Sequence, residues 1–462
     1  VEKGPKSLAR DLDLSINSPN AHMTELRWES DLVLGVDVGT SYIKLVLADR
    51  TGAVVHSARI RSKTLSAVEG IDYCFTSDTW RVLYEILQGV CCWAQSNKFV
   101  VGRIAVAAIS PVLVGFSLRD PDFAICMPYW RIKSVDQGLS GMERASARVR
   151  HLSKSAVNAG MTDGVFCDLI GYVNYRLTGH LTINSITLAE LCAPDEPYNI
   201  FATLDVLGPS DSLAVKSEQF PIGAYCAGGS DSFCTALGAG AIEAGSELIY
   251  LGTFGSLLRV HRNLLLSTSQ DRTLPYEWVF SSPRFGASVE RLAESLFPDG
   301  AGNPLSRLDE HASITPLGAC ETLFHIPRAH LDGVESWDHG FAVSPGGSFS
   351  KSTQARAVLE ALPVALLALG ITASHRITPI YVNGGGATSS VWPNVLADCL
   401  YTPVRRPRIN VNGNGPLTLA LLSESSRISL DGQWIEIQPM AHDRNELSKT
   451  IELAKAWYGS HT

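Results

Sequence analysis

The sequence predicts an α/β protein built on a duplicated unit. Three observations carry this. Short β-leaning runs alternate with helical spacings along the chain. A glycine–threonine hairpin at Gly39-Thr40 is echoed at Gly252-Thr253. At about 100–200 residues per domain, 462 residues leave room for more than one core. Composition agrees: 45% hydrophobic and 18% charged residues exclude wholesale disorder, a collagen and a disulfide miniprotein. Lys and Arg number 38 against 46 Asp and Glu, a formal charge of −8, which argues against a nucleic-acid binder.

Residues 1–30 mix charge with Ser, Asn and Pro without a lasting period. They are read as a tag or disordered leader outside the fold. Order is expected from Asp31. Leu32-Val33-Leu34-Gly35-Val36 is a β-leaning run, and Asp37-Val38-Gly39-Thr40-Ser41 supplies turn chemistry. Residues 42–48 and 53–60 follow as strands of an antiparallel meander. Trp80, Leu83, Tyr84, Leu87 and Val90 share one face of a helix over 78–97. Residues 104–109 read as a buried strand, and 141–190 as mainly helical.

The strand-and-turn pattern restarts near Gly223. A strand is expected over 224–227, a turn at Gly228-Gly229-Ser230-Asp231-Ser232 and a helix over 233–244. Strands at 247–251 and 256–261 flank the turn Gly252-Thr253-Phe254-Gly255. Further on, a helix over 354–369, a strand over 379–382, the turn Gly384-Gly385-Gly386 and a helix over 391–400 are predicted. The longest apolar helical run, 361–371, is too short for a bilayer, which needs about 20 residues. No secretory pattern precedes a cleavage site, and the ten cysteines hold no Cys-x-x-Cys pair. Reduced thiols in a cytoplasmic protein without structural zinc are the expectation.

Four turns are candidates for chemistry. Gly39, Thr40 and Ser41 offer backbone N–H groups and hydroxyls, a nest suited to phosphate oxygens. Asp37 stands at the preceding strand end, where a carboxylate can hold Mg²⁺ through water. Lys44 adds a positive charge if it folds back to the turn. The competing reading is an ordinary hairpin. Asp231, after Gly228-Gly229-Ser230, suits a general base for a substrate hydroxyl, or a helix N-cap. Gly252-Thr253 is a second phosphate nest. Asn383-Gly384-Gly385-Gly386-Ala387 lets a flat base or ribose lie on bare backbone. Each also has a plain turn reading.

The order of these motifs is more specific than any one of them. Asp-x-Gly-Thr-Ser-x-x-Lys, Gly-Gly-x-Asp, Leu-Gly-Thr-x-Gly and Gly-Gly-Gly-Ala follow one another over roughly 31–422. This series resembles the FGGY family of carbohydrate kinases, within the actin-like, hexokinase and Hsp70 ATPase superfamily. Tyr175-Arg176-Leu177-Thr178-Gly179 and Arg356-Ala357-Val358-Leu359-Glu360-Ala361 add to the likeness. The resemblance implies two actin-like (ribonuclease H-like) α/β domains with an interdomain cleft, divided into 31–258 and 259–462. It implies an ATP-dependent, Mg²⁺-requiring enzyme that phosphorylates a hydroxyl of a small sugar, polyol or sugar acid. A pentulose such as xylulose or ribulose is the first choice, and a homodimer is allowed. By the same resemblance Asp37 is the metal-associated residue and Asp231 the general base. Gly39, Thr40, Ser41, Lys44, Gly252 and Thr253 face the phosphates. Gly384, Gly385, Ala387 and Asn394 face the adenosine. No Gly-Lys dipeptide occurs, so a Walker A loop is excluded.

Departures fall on the acceptor side. Trp130-Arg131-Ile132-Lys133-Ser134 stands where relatives carry Trp-x-Asp-x-Arg, leaving Trp130 as the candidate substrate contact. Ser110-Pro111 stands where relatives often have a Gln-Met-His or similar polar group, and Phe254 where they often have Ser. A non-catalytic nucleotide-binding protein of the same fold is therefore the alternative. Two further features are read as structural: Cys226 and Cys234 as buried small residues, and Pro403-Val404-Arg405-Arg406-Pro407-Arg408 as a solvated basic edge.

Overall fold

A computed structural model describes residues 31–39, 42–61, 74–75, 77–128, 141–191, 201, 204–215, 220–252, 255–271, 273–282, 285–298, 302–319, 323–325, 341–343, 349–371, 378–408, 415, 417–418, 434–440 and 447–461. The expected leader 1–30 lies outside them.

The first strand follows from the apolar run after Asp31. Leu32, Leu34, Val36 and Val38 on one face and Val33 on the other are all buried, as a strand packed on both faces requires. The strands in chain order are β1 Asp31–Val38, β2 Tyr42–Ala48, β3 Val54–Arg61, β4 Cys74–Phe75, β5 Val100–Ala108, β6 Val112–Ser117, β7 Ala124–Pro128, β8 Gly164–Asp168, β9 Thr182–Asn184 and β10 Asp205–Leu207. There follow β11 Ser212–Ala214, β12 Ile222–Ser230, β13 Glu247–Leu251, β14 Gly255–Val260, β15 Tyr276–Ser282, β16 Leu323–His325, β17 Phe341–Val343, β18 Ile380–Asn383, β19 Val404–Pro407 and β20 Trp434–Ile437. The helices are α1 Ser77–Ser96, α2 Gly141–Asn158, α3 Leu169–Thr178, α4 Ser185–Leu191, α5 Asp231–Ala239, α6 Phe285–Leu296, α7 Pro304–Ser313, α8 Lys351–Ala368, α9 Trp392–Leu400 and α10 Ser448–His461. None of the described helices is long and apolar enough to cross a membrane.

Two compact units result. The first runs to Gly238 and takes back Leu264–Leu274 and Val411–Ser429; the second holds Ala239–Asn263, Pro275–Asn410 and Leu430–Thr462. The division expected at 258 therefore falls inside the second unit. The reason is pairing: β13 and β14 form an antiparallel hairpin, β14 pairs with β15, and β13 runs parallel to β18.

Each unit is organised around a six-stranded sheet. The first has the order β11-β12-β5-β1-β2-β3, the second β15-β14-β13-β18-β19-β20. In the first, β1, β2 and β3 form the predicted antiparallel meander, and β5 and β12 extend it in parallel beside β1. In the second, β13, β14 and β15 form the meander, with β18 and β19 parallel beside β13. An antiparallel edge strand closes each, β11 on β12 and β20 on β19. The expected duplication is thus a repeat of sheet topology.

Helix α1 buries Trp80, Leu83, Leu87 and Val90 in the core of the first unit, the stripe its spacing predicts. The stretch expected to be helical over 141–190 is instead broken by two strands. β8 pairs antiparallel with β6 in a four-stranded sheet, and β9 pairs with β10. Here sheet pairing overrides the local helical period. In the second unit, Ser350 caps α8 by accepting from the Thr353 N–H at 3.1 Å. Arg356 and Glu360, one turn apart inside that helix, make a buried ion pair at 2.6 Å.

Candidate active-site residues in each unit

In the first unit the candidates collect at the carboxyl ends of adjacent parallel strands. Asp37 and Val38 of β1 pair with Ala107 and Ala108 of β5, and Gly229 and Ser230 of β12 pair with the same two residues. Asp37, Ser110 and Asp231 therefore stand at or just past the carboxyl ends of three neighbouring strands, the place where open α/β sheets bind ligands.

Asp231 reaches this rim through a bulge. The register of β12 against β5 shifts between Cys226 and Gly229. Gly228 adopts φ +71°, and a Cβ there would lie 1.7 Å from the carbonyl oxygen of Val106. Only glycine fits such a position. The Asn184 amide fixes it by donating to the Gly228 carbonyl at 2.9 Å. The glycine stretch expected to be a turn is thus the bulged end of a strand, and the helix begins at Asp231 and ends at Ala239, before Gly240 at φ +81°.

The alternative reading of Asp231 as N-cap is not realised. Ser230 takes that role, its Oγ accepting from the Phe233 N–H at 3.2 Å. Asp231 Oδ1 accepts from the adjacent Ser232 N–H at 2.9 Å. Loss of water, then the negative charges of Glu190 and Asp37, push its carboxyl up to about 8, against the lowering effect of the Ser232 bonds. Cys226 and Cys234 are buried, as expected.

Asp37 and Lys44 face each other across the β1–β2 ladder, and the Lys44 ammonium donates to Asp37 Oδ2 at 3.1 Å. Lys44 therefore spends its charge on the carboxylate. The Gly39 N–H closes the hairpin on the Tyr42 carbonyl at 3.0 Å. Thr40, Ser41, Trp130 and Thr253 lie outside the described residues, as do Arg131 and Lys133. The described residues contain no group of three or more His, Cys, Asp or Glu side chains that could hold a metal ion. A site with Asp37 alone still suits Mg²⁺, which keeps several waters and needs few carboxylates.

Sequence reasoning missed the neighbours of this rim. Ser110 donates to Glu190 of α4 and stands 3.3 Å from Thr187 Oγ1. Asp168 caps α3 by accepting from the Gly171 N–H at 2.9 Å. Burial raises its carboxyl to about 6, opposed by bonds from Gly171, Thr187 and Asn184. These residues belong to separate short segments, so no local spacing announces them.

In the second unit the glycine turns divide by role. Gly384 adopts φ +96°, and a Cβ there would meet the Leu251 carbonyl oxygen at 2.6 Å. A Cβ on Gly386 would strike the Trp392 ring at 2.7 Å. Gly385 is exposed, and the first atom a Cβ would meet is 3.9 Å away. Gly384 and Gly386 thus serve packing, whereas Gly385 presents exposed backbone with room for a side chain. The following residues form a short 3₁₀ turn, Gly385–Thr388, with Ala387 buried. Gly252 lies against its neighbour Tyr250, whose ring a Cβ would meet at 2.4 Å. Asn394 is exposed and donates to the Ser390 carbonyl at 2.7 Å.

The basic run 403–408 is not a loose solvated edge. It forms β19, and Arg406 donates to the carbonyls of Ala387 and Ser389 at 3.0 and 3.2 Å. Ser389 Oγ in turn accepts from the N–H groups of Val391 and Trp392 at 3.0 and 2.8 Å. Arg406 therefore braces the turn that sequence reasoning assigned to adenosine.

No family model matches the chain. By sequence it is 25% identical over 285 residues to an uncharacterized sugar kinase of Escherichia coli, covering 52% of this chain and 57% of that protein. It is 29% identical over 195 residues to a xylulose kinase of Staphylococcus epidermidis, covering 40% and 39%. The chain thus spans about half the length, or less, of these curated relatives. By structure it matches a xylulose kinase from Rhodospirillum rubrum with TM-score 0.69 at 18% identity, covering 93% of this chain and 98% of that one. A gluconate kinase from Lactobacillus acidophilus matches with TM-score 0.69 at 16% identity, covering 94% and 98%. These likenesses give the chain the two-domain actin-like fold. The curated relatives are named as a sugar kinase and a xylulose kinase, and the solved structures as a xylulose kinase and a gluconate kinase.

Proposed function

We propose that this chain is an ATP-dependent carbohydrate kinase acting on a small sugar or polyol, with a pentulose such as xylulose or ribulose as first choice. The observation that carries the reading is Asp231: a carboxyl delivered to the rim by a glycine-only bulge, with the capping duty given to Ser230. The kinship with sugar kinases supports it.

In this reading Asp231 takes the proton of the acceptor hydroxyl. The oxygen attacks the γ-phosphorus, the bond to the bridging β–γ oxygen breaks, and ADP leaves with that electron pair. A carboxyl at about 8 is roughly nine-tenths protonated at pH 7, and it stays close enough to neutrality for proton transfer. Gly39, Thr40, Ser41, Gly252 and Thr253 would give backbone N–H groups and hydroxyls to the phosphates. Gly385 would leave room for the nucleoside, with Gly384 and Ala387 shaping the turn and Asn394 beside it. Mg²⁺, held through water at Asp37, would neutralise charge on the β- and γ-phosphates. Lys44 holds the Asp37 carboxylate in place at that strand end. Trp130 is the proposed acceptor contact outside the described rim. The cytoplasm is the proposed compartment and a homodimer the proposed assembly.

The test is ADP release from ATP and Mg²⁺ across ketoses, polyols and sugar acids. Acceptor-stimulated release is expected. Tight nucleotide binding with no stimulation by any acceptor would favour the non-catalytic alternative.

A further inference from the structure

We propose that Glu190, held by Ser110, is a specificity-determining residue of the acceptor site and selects neutral polyhydroxy compounds over carboxylated ones. The inference rests on reading Asp231 as the residue that meets the acceptor hydroxyl.

Ser110 lies two residues beyond the last paired residue of β5, the strand between β1 and β12. Ala108 pairs with Val38 on one side and Ser230 on the other, so Ser110 shares the rim with Asp37 and Asp231. Helix α4 supplies the rest. Thr187 and Glu190 are three residues apart and so lie on one helical face. Ser110 donates to the Glu190 carboxylate and stands 3.3 Å from Thr187 Oγ1. The helix start is pinned by Asn184, which donates to Gly228 at 2.9 Å and accepts from the Ile186 N–H at 3.0 Å. Gly228 belongs to the bulge that delivers Asp231. The same short segment therefore positions both carboxyls.

Glu190 is close enough to act on Asp231, after desolvation the largest influence on that carboxyl and ahead of Asp37. The Lys44 ammonium is engaged by Asp37. An ionised carboxylate accepts hydrogen bonds and donates none, so it suits ligand hydroxyls. A ligand carboxylate would meet the negative charge of Glu190, with the nearby Lys44 cation already held by Asp37, and like charges reject a wrong ligand. Glu190 thus offers hydroxyls an acidic grip from a helix, in a sequence that lacks the Trp-x-Asp-x-Arg motif.

The experiment is calorimetric titration of the full chain, without nucleotide, with xylulose, ribulose, glycerol and gluconate. The same ligands are then assayed as acceptors. Binding of at least one neutral compound roughly 100-fold tighter than gluconate is expected. Glu190→Gln should weaken the neutral ligand roughly 10-fold and narrow the gap to gluconate, with Ser110→Ala acting in the same direction. Glu190→Gln should also shift the rising limb of kcat/KM to lower pH, because a like charge beside Asp231 is gone. A purely structural role would not move that limb. Selective neutral binding that depends on Glu190, without ADP release, would keep this inference and remove the kinase reading. Gluconate as the preferred acceptor would keep the kinase and overturn the inference. So would no binding by any ligand, or affinities unchanged in Glu190→Gln.

Discussion

The two six-stranded sheets share one strand order and bear unlike loads. In both, a three-strand meander is followed by two parallel strands and an antiparallel edge. Asp37 stands two residues before the turn glycine Gly39, and Tyr250 stands two residues before Gly252. The strand beside the first meander ends toward Ser110, the strand beside the second toward Gly384 and Gly385. The next parallel strand leads into Asp231 in one sheet, and in the other it carries Arg406. A repeated scaffold thus presents carboxyls from one sheet and bare backbone braced by arginine from the other. Chemistry follows from what stands at the strand ends, since the strand order is common to both.

This comparison is sharpened by removing each load in turn. The largest effect is expected at Asp231. Asp231→Asn should leave the Kd for ATP near the wild-type value and lower kcat about 10²–10⁴-fold, the scale of a lost general base. Stopped-flow nucleotide binding and steady-state turnover on one preparation check both. A second effect separates the glycines of the other sheet. Gly385→Leu should weaken ATP binding by about 10-fold or more with an unchanged Tm, because an exposed position with no close contact takes the side chain where the nucleoside is proposed to lie. Gly384→Ala should instead lower stability by about 1–3 kcal/mol, from strain at positive φ and the Leu251 contact. If Gly384→Ala spares the Tm while Gly385→Leu lowers it, the division of roles is wrong. The smallest effect is expected from Arg406→Met. Losing two bonds to the carbonyls of Ala387 and Ser389 should cost about 1–3 kcal/mol and raise the KM for ATP a few-fold, with kcat unchanged.

Much of this was legible in the sequence. The strands before and after Gly39, the helix with Trp80, Leu83 and Leu87, and the hairpin at Gly252 all carry local periods that need no tertiary context. The candidate residues Asp37, Asp231 and Gly385 were also legible, because each sits beside glycines that mark a turn or bulge. What escaped was set by long-range contacts. β8 sits in a stretch whose spacing looks helical and becomes a strand by pairing with β6. The bulge at Gly228 depends on a carbonyl of β5, more than a hundred residues earlier. Arg406 looked like a solvated charge because the carbonyls it serves lie seventeen and nineteen residues away. Glu190 and Ser110 meet across eighty residues, beyond any local pattern.

The raised carboxyl at Asp231 also has a pH signature in stability. A carboxyl whose folded pKa lies above its unfolded value of 3.8 binds protons more tightly when folded. Its favourable contribution is complete below the unfolded value and is lost as pH rises toward about 8. Asp231→Asn should therefore gain Tm relative to wild type as pH increases, a trend that thermal melts from pH 5 to 9 would read.

The most direct measurement is acceptor-dependent ADP release by the wild-type chain as a function of pH. With Asp231 as the proton acceptor, kcat/KM should rise tenfold per pH unit from the acid side and level off near 8. A profile flat from pH 5 to 9, or no acceptor-dependent release at any pH, would contradict it.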